Sequence, residues 1–599
     1  MDLTTLKTFR PAEYEDAADA YRATGDIAGT AKDTIDQQVA AALRDRLEGE
    51  AATAALVQLK HLSRNFHYAQ TGCGLVSTAL NGFAHDMGAA RRKLMAALED
   101  ARAAGCTVGA DGSVTYPAGG DAPEGGTVRG TDGPASPMAA ALYRQSAEAH
   151  PNPHHGRALE LAQRIADALA EAAEADARWA PRLRALRADD DLTVSHADWK
   201  DAHTDRSGLR AAAGDYLASL PQPPRGGTPQ DNAAWWQGLT AEQRSAWLSL
   251  HPALVGAMDG LPAAVRDEAN RVVLNEHLAR TRLALDAVPE PPADRWTWTT
   301  TGLTPTSTPT PEYLAWQREH GERYLALQNA LKGMESIQRR FDQTGERGLP
   351  EAYLLGFDPE GNGRAIIATG NPDTAHHQAV YVPGTTSNLS NIGEGIDRMT
   401  NLWRVADDEA DGEAVSAVTW FGYDAPQSIV KDAPFSHYAN DGAPGFNRFL
   451  DGLEAAHSGD APPHRTAIGH SYGTTLIGSA ARQDDLNADD VVLAGSPGVQ
   501  VPRAEQMDVP KGHVWNLEAD WDVVPDVGRF GHGGWGEDGL ATPSDQRFGA
   551  RQLVPGDIAG HTSYWDEGTT SLQNQGLVAV GRGDEAEVEE PRPRWERMR

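Results

Sequence analysis

"RTAIGHSYGTTLIGSAAR", residues 465–482, holds one serine between two glycines. A short apolar run, Thr466 to Ile468, precedes Gly469-His470-Ser471-Tyr472-Gly473, and a segment able to start a helix follows. The order strand, Gly-x-Ser-x-Gly, helix predicts a sharp turn in which Gly469 and Gly473 allow close approach of the backbone. That turn lifts Ser471 above the edge of a sheet, with the positive end of a helix behind it. Without those flanks, Ser471 is only a small residue in a tight turn.

The surrounding text supports a sheet. "AYLLGF" (352–357) and "RAIIAT" (364–369) flank the turn "DPEGNG". "QAVYVPG" (378–384), "AVSAVTWFGY" (414–423), "DVVLAGSPG" (490–498) and "HVWNLEADWD" (513–522) then recur at helix-length intervals. This alternation predicts βαβ units and a mostly parallel sheet, an α/β fold. Upstream the period is helical. From about Tyr14 to Ala104 proline is nearly absent, and Leu80, Phe83, Met87, Leu94 and Leu98 fall at helical spacing, predicting a helical hairpin over 1–120. "VGADGSVTYPAGG" (108–120) reads as a short hairpin or loop. A helical region is expected over 135–287, with a stripe of Leu161, Ile165, Leu169, Ala172, Asp176, Trp179, Leu183 and Leu186. Thr240 and Gln243 have capping-box spacing, and Leu261-Pro262 opens a further helix. The Pro/Thr-rich stretch 288–311 reads as an extended linker. The α/β unit with a leading helix is expected over 312–580, and a charged, disordered tail over 581–599.

At 599 residues the chain exceeds one hydrophobic core, and about two to four domains are expected. A formal net charge of −32 argues against nucleic acid or an anionic membrane as partner. The two cysteines, Cys73 and Cys106, stand roughly 50 Å apart if one helix carries both, so no disulfide framework is implied. No basic start with an apolar stretch opens the chain, and nowhere do 18 apolar residues run together, which disfavours Sec-type export and a membrane span.

A serine hydroxyl needs a base, an orienting acid and donors for an oxyanion. In the order serine, acid, histidine, the base lies after residue 471, where His513, His532 and His561 are candidates. His561, beyond the last strand-like segment, is the expected base. Asp520 and Asp522 end a late strand. Two residues apart, they share a face while the strand continues, so alternation does not separate them. The turn "DVVP" favours Asp522, with Asp520 the rival and Asp526 a remoter choice. The Tyr472 amide follows the nucleophile, and the Thr385 amide, after the Pro383-Gly384 turn, is the expected second oxyanion donor. Trp420 and Tyr423 either line a substrate pocket or pack the core. "GHGGWG" (531–536) has dinucleotide-fingerprint spacing without the strand and helix it requires, "HPNPHH" (150–155) lacks companion metal ligands, and "RGD" (582–584) sits in the charged tail.

Taken in order, "AVYVPGTTSNL", "VTWFGYDAP", "IGHSYGTTL", "VLAGSPGV", "DWDVVP", "RFGARQLVPGD" and "HTSYWDEGT" resemble the actinobacterial α/β-hydrolase family known as domain of unknown function 1023. The resemblance covers about residues 350–580. It implies an α/β-hydrolase fold with Ser471 and His561 at catalytic positions, and no particular substrate. "PALVGAMDGLPAAVRDEANR" (252–271) is also similar to that family's upstream pattern. More weakly, the N-terminal hairpin resembles WXG-type hairpins of type VII secretion substrates, with Leu47 where the tryptophan would stand. The reading is therefore a cofactor-free, metal-free serine esterase with a small-molecule acyl substrate and self-association through its N-terminal helices. Its expected location is the cytoplasm, or outside the cell by a type VII-like route. The alternative is a non-catalytic helical binding or secretion-associated protein on a degenerate hydrolase scaffold.

Overall fold

The computed structural model describes residues 1–121, 124–131, 150–188, 193–301, 304–537 and 539–591. Helix Pro11–Asp33 packs antiparallel to the 54-residue helix Glu50–Ala103, joined through a π-helical stretch, Thr34–Ala40, and a break in which Gly49 has φ 102°. Leu75, Phe83, Met87 and Leu94 of the long helix share a core with Leu161, Ile165 and Trp179 of helix His154–Ala185. Trp179 lies over Gly82, where a Cβ would stand 2.5 Å from its ring, and its indole donates to Asp86 at 2.7 Å. Asp176, expected in the stripe, is exposed, and Ala175 takes the inward position. Strands β1 (Thr107–Val108), β2 (Val114–Tyr116) and β3 (Gly126–Val128) form a small antiparallel sheet against this bundle. The capping box at Thr240 and Gln243 is formed.

The stretch read as an extended linker contains an antiparallel hairpin, β4 (Trp296–Thr301) with β5 (Thr304–Pro309). Threonine and tryptophan suit a pleated ribbon, and the prolines sit on β5 of a two-stranded ribbon, where half the backbone donors need no partner.

The main sheet has nine strands in the order β16-β15-β12-β11-β10-β8-β9-β7-β6. In chain order they are β6 (Ala352–Asp358), β7 (Arg364–Thr369), β8 (His377–Val382), β9 (Val415–Phe421), β10 (His464–His470), β11 (Asp490–Ala494), β12 (Val514–Leu517), β15 (Arg551–Leu553) and β16 (Val588–Glu589). β13 (Gly534–Gly536) and β14 (Gly539–Ala541) form a separate ribbon. Strands β8 to β12 and β15 are parallel, β7 and β16 run against them, and edge strand β6 pairs antiparallel with β7. Every residue of β8, β9 and β11 is buried, as two covered faces require.

Both edges are closed by segments that the sequence reading placed elsewhere. Beside β6, Leu354 N–H donates to Asp267 (2.7 Å), while Asn270 and Arg271 donate to the carbonyls of Leu354 and Ala352 (both 2.9 Å). These side chains of helix Ala263–Asp286 satisfy a strand edge that would otherwise pair with another chain. Leu274 of the same helix and Leu331, Met334 and Ile337 of helix Glu322–Asp342 enter the sheet's core. At the far edge the charged segment expected to be disordered from 581 instead supplies β16 up to residue 589. Its remainder, 592–599, lies outside the described residues.

Candidate active site

Ser471 stands between β10 and helix Tyr472–Gln483 with φ 54° and ψ −126°, a conformation L-residues rarely adopt. The surrounding backbone holds it there: its N–H donates to Ala494 O at the end of β11 (2.9 Å). A Cβ on Gly473 would lie 2.2 Å from Val382 O, and one on Gly469 2.8 Å from Thr474 Cα. The two glycines are therefore what bring the helix start against β8 and allow the chain to turn. A Cβ on Gly384 would meet the Ser471 Cβ at 2.7 Å, so the Pro383-Gly384-Thr385 turn runs directly against the serine. The next residue, Thr386, has φ 69°, and its amide donates to Pro426 O.

Asp522 and His561 meet beside this turn. The loops after β12 and β15 carry them, and the imidazole Nδ1 lies 2.8 Å from Oδ2 and 3.0 Å from Oδ1 of Asp522. The Asp522 side chain is fully buried and also accepts hydrogen bonds from Tyr564 Oη (2.6 Å) and Val524 N (3.0 Å). Burial raises its pKa, but the hydrogen bonds from His561, Tyr564 and Val524 more than offset this and hold it below the ordinary carboxylate value. Gly495, after β11, has φ 57°, and a Cβ there would lie 2.7 Å from Asp522 Oδ2 and 3.0 Å from the His561 ring. Only a hydrogen fits under the pair.

The other histidines and acids have different places. His513 faces Asp490 at the opposite end of the sheet (3.0 Å), and buried His532 bonds Ala433 O (2.6 Å). The Asp520 backbone pairs with Ala559 and its carbonyl accepts from Gly560 N (2.7 Å), bracing the loop that carries His561. Asp526 is buried in helix Val524–His532. Trp420 and Tyr423 are buried in the core. Their rings stack at 6.0 Å, Phe446 meets Trp420 edge-on, and Tyr423 Oη donates to Pro383 O (2.8 Å), anchoring the turn beside Ser471.

Three residues of this region escaped the sequence reading: Tyr564, His470 and Arg398. His470 Nε2 lies 2.7 Å from His561 O, and Arg398 Nη1 lies 3.4 Å from His470 Nδ1 and 2.6 Å from Tyr381 Oη. Tyr564 and His470 stand inside the quoted motifs "HTSYWDEGT" and "IGHSYGTTL", which was the available signal; Arg398 had none.

No helix among the described residues is long and apolar enough to cross a membrane. Among them, no group of three or more His, Cys, Asp or Glu side chains is arranged to hold a metal ion.

A family model described as alpha/beta hydrolase matches residues 358–532. The uncharacterized protein Rv2079 of Mycobacterium tuberculosis is 28% identical over 397 residues, covering 60% of this chain and 57% of that protein. The chain thus spans little more than half the length of this relative. Two further uncharacterized proteins, Mb0988c of Mycobacterium bovis and Rv0963c of M. tuberculosis, are 32% identical over 196 residues, covering 30% of this chain and 73% of each. With the nine-stranded sheet and the serine turn described above, these matches establish that the chain belongs to the alpha/beta hydrolase family.

Proposed function

We propose that the protein is a serine hydrolase that cleaves a carboxylic ester or related acyl bond. The observation that supports the reading is a backbone-strained Ser471 at the carboxyl end of β10, beside His470 whose Nε2 lies 2.7 Å from His561 O, together with the Asp522–His561 pair on the loops after β12 and β15. In this reaction the Ser471 hydroxyl attacks the acyl carbonyl carbon while His561 Nε2 accepts its proton. Asp522 holds the Nδ1–H tautomer, which leaves Nε2 free as the base, and balances the imidazolium that forms. The amides of Tyr472 and Thr385 bind the oxyanion; the Thr386 amide is committed to Pro426. His561 then protonates the departing alcohol, and water, activated by the same imidazole, releases the acid from the acyl-serine.

The reading involves a small-molecule acyl substrate and no cofactor. Its test is labelling with a fluorophosphonate probe together with turnover of p-nitrophenyl esters of graded chain length. Labelling at Ser471, lost in Ser471→Ala along with esterase activity, is the expected result. A folded wild-type protein that is neither labelled nor active would leave the degenerate-scaffold reading in its place.

A further inference from the structure

We infer that His470, the residue before the nucleophile, is a positioning residue that ties the loop of the base His561 to the serine turn. The inference rests on the hydrolase reading above. His470 ends β10, and its ring is buried between the base loop and helix Ile392–Glu409. A carbonyl oxygen can only accept, so the 2.7 Å contact from Nε2 to His561 O makes Nε2 the protonated nitrogen. Arg398 has only donors, so its Nη1 at 3.4 Å makes Nδ1 the acceptor. Both partners therefore select one tautomer. Burial, followed by the nearby charge of Arg398, holds the ring neutral.

The same ring also supports the base directly. Its ring centroid lies 4.7 Å from that of His561 with the planes tilted by 32°, so the base is held by Asp522 at Nδ1, by the neighbouring His470 ring and by His470 again at its carbonyl. Arg398 is itself fixed, donating to Tyr381 Oη at 2.6 Å and lying 5.2 Å over the Trp565 ring, four residues beyond the base. Ser471 and His561 come from loops 90 residues apart, and their relative placement passes through one peptide bond and one imidazole. A catalytic pair needs its geometry held to a fraction of an ångström, and misplacement by about 1 Å costs about 100-fold.

The experiment compares His470→Phe, which keeps a ring but has no donor, with His470→Gln, whose amide nitrogen can reach the position of Nε2. For p-nitrophenyl butyrate, His470→Phe should lower kcat by about 10- to 100-fold with KM within about twofold, and slow fluorophosphonate labelling of Ser471 by a similar factor. His470→Gln should recover most of that loss. Wild-type kcat and labelling rate in folded His470→Phe, or no recovery in His470→Gln, would overturn the inference while leaving the serine mechanism intact. Absence of labelling in the wild type would overturn both. If His470→Phe does not fold, Arg398→Met decides: with His470 in place but Nδ1 deprived of its donor, kcat should fall about fivefold at unchanged KM, and an unchanged kcat would overturn the inference.

Discussion

Tyr564 donates its phenolic hydrogen bond to the same Asp522 oxygen that faces His561: Oη lies 2.6 Å from Oδ2, and the imidazole Nδ1 2.8 Å. Tyr564 also accepts from the Ala519 amide at 3.1 Å, so one hydroxyl joins the end of β12 to the loop carrying the base. Tyr564→Phe should therefore cost about 1–3 kcal/mol, the usual scale for hydrogen bonds to a buried charge. The sign of its pH effect follows from Asp522, whose folded pKa is depressed. Such a group stabilises the fold above its unfolded pKa and loses that contribution as pH falls. Removing a donor raises the folded value, so the acid-unfolding midpoint of Tyr564→Phe should move to higher pH, as circular dichroism would record.

Asp522→Asn should lower kcat by about 10³- to 10⁴-fold with little change in KM, because the amide no longer fixes the imidazole tautomer. His561 Nδ1 is engaged by Asp522, and the Asp520 carbonyl that accepts from Gly560 is kept in Asp520→Asn, so that variant should stay within a few-fold of wild type. Steady-state kinetics of the two proteins check the assignment; the opposite ranking at equal melting temperature would move the role to Asp520.

Gly495→Ala places a methyl group 2.7 Å from Asp522 Oδ2 and 3.0 Å from the His561 ring, at a backbone φ of 57°. Both effects push the pair apart. Activity should fall by more than about 100-fold and stability by about 1–3 kcal/mol. Thermal denaturation and ester turnover together test this, and an active Gly495→Ala protein would refute the close packing.

Away from the site, Glu268 sits against a cavity in the helical half and accepts from Gln70 Nε2 at 2.9 Å. Burial, reinforced by Asp26, Asp267 and Asp33 and opposed by Lys32, raises its pKa from 4.5 to about 7. A carboxyl with a raised folded pKa binds more protons folded than unfolded, so stability falls as pH rises from about 4.5 through about 7. At about 1.4 kcal/mol per pH unit the loss is at most about 3 kcal/mol. Glu268→Gln should flatten that slope and be the more stable protein at pH 8, as urea denaturation at several pH values would show.

The parallel sheet was legible because each strand is a short apolar run with a turn at its end, and the β6–β7 hairpin because "DPEGNG" can do little but turn. The Asp520/Asp522 ambiguity had a local physical cause. Strand alternation gives the two one face, but the structure sets Trp521 between them at φ 61°, and this reversal sends Asp522 towards His561 while Asp520 stays in backbone pairing. A left-handed tryptophan leaves no mark in composition or periodicity. His470, Arg398 and Tyr564 were unread for a different reason: each acts through a contact 42 to 91 residues away in the chain. Trp420 and Tyr423 could not be divided between pocket and core because an aromatic side chain suits both, and their burial and mutual stacking leave no mark in the sequence.

The helix that satisfies the β6 edge makes the unit of folding wider than the span of the family match. The family match covers 358–532, yet Asp267, Asn270, Arg271 and Leu274 precede it, and His561, Tyr564 and β16 follow it. A chimera or expression fragment cut at the borders of the match would leave a bare strand at each side of the sheet and lose the proposed base. A workable transplant must run from about residue 263 to 591, carrying with it the β4–β5 ribbon that sequence composition marks as a joint.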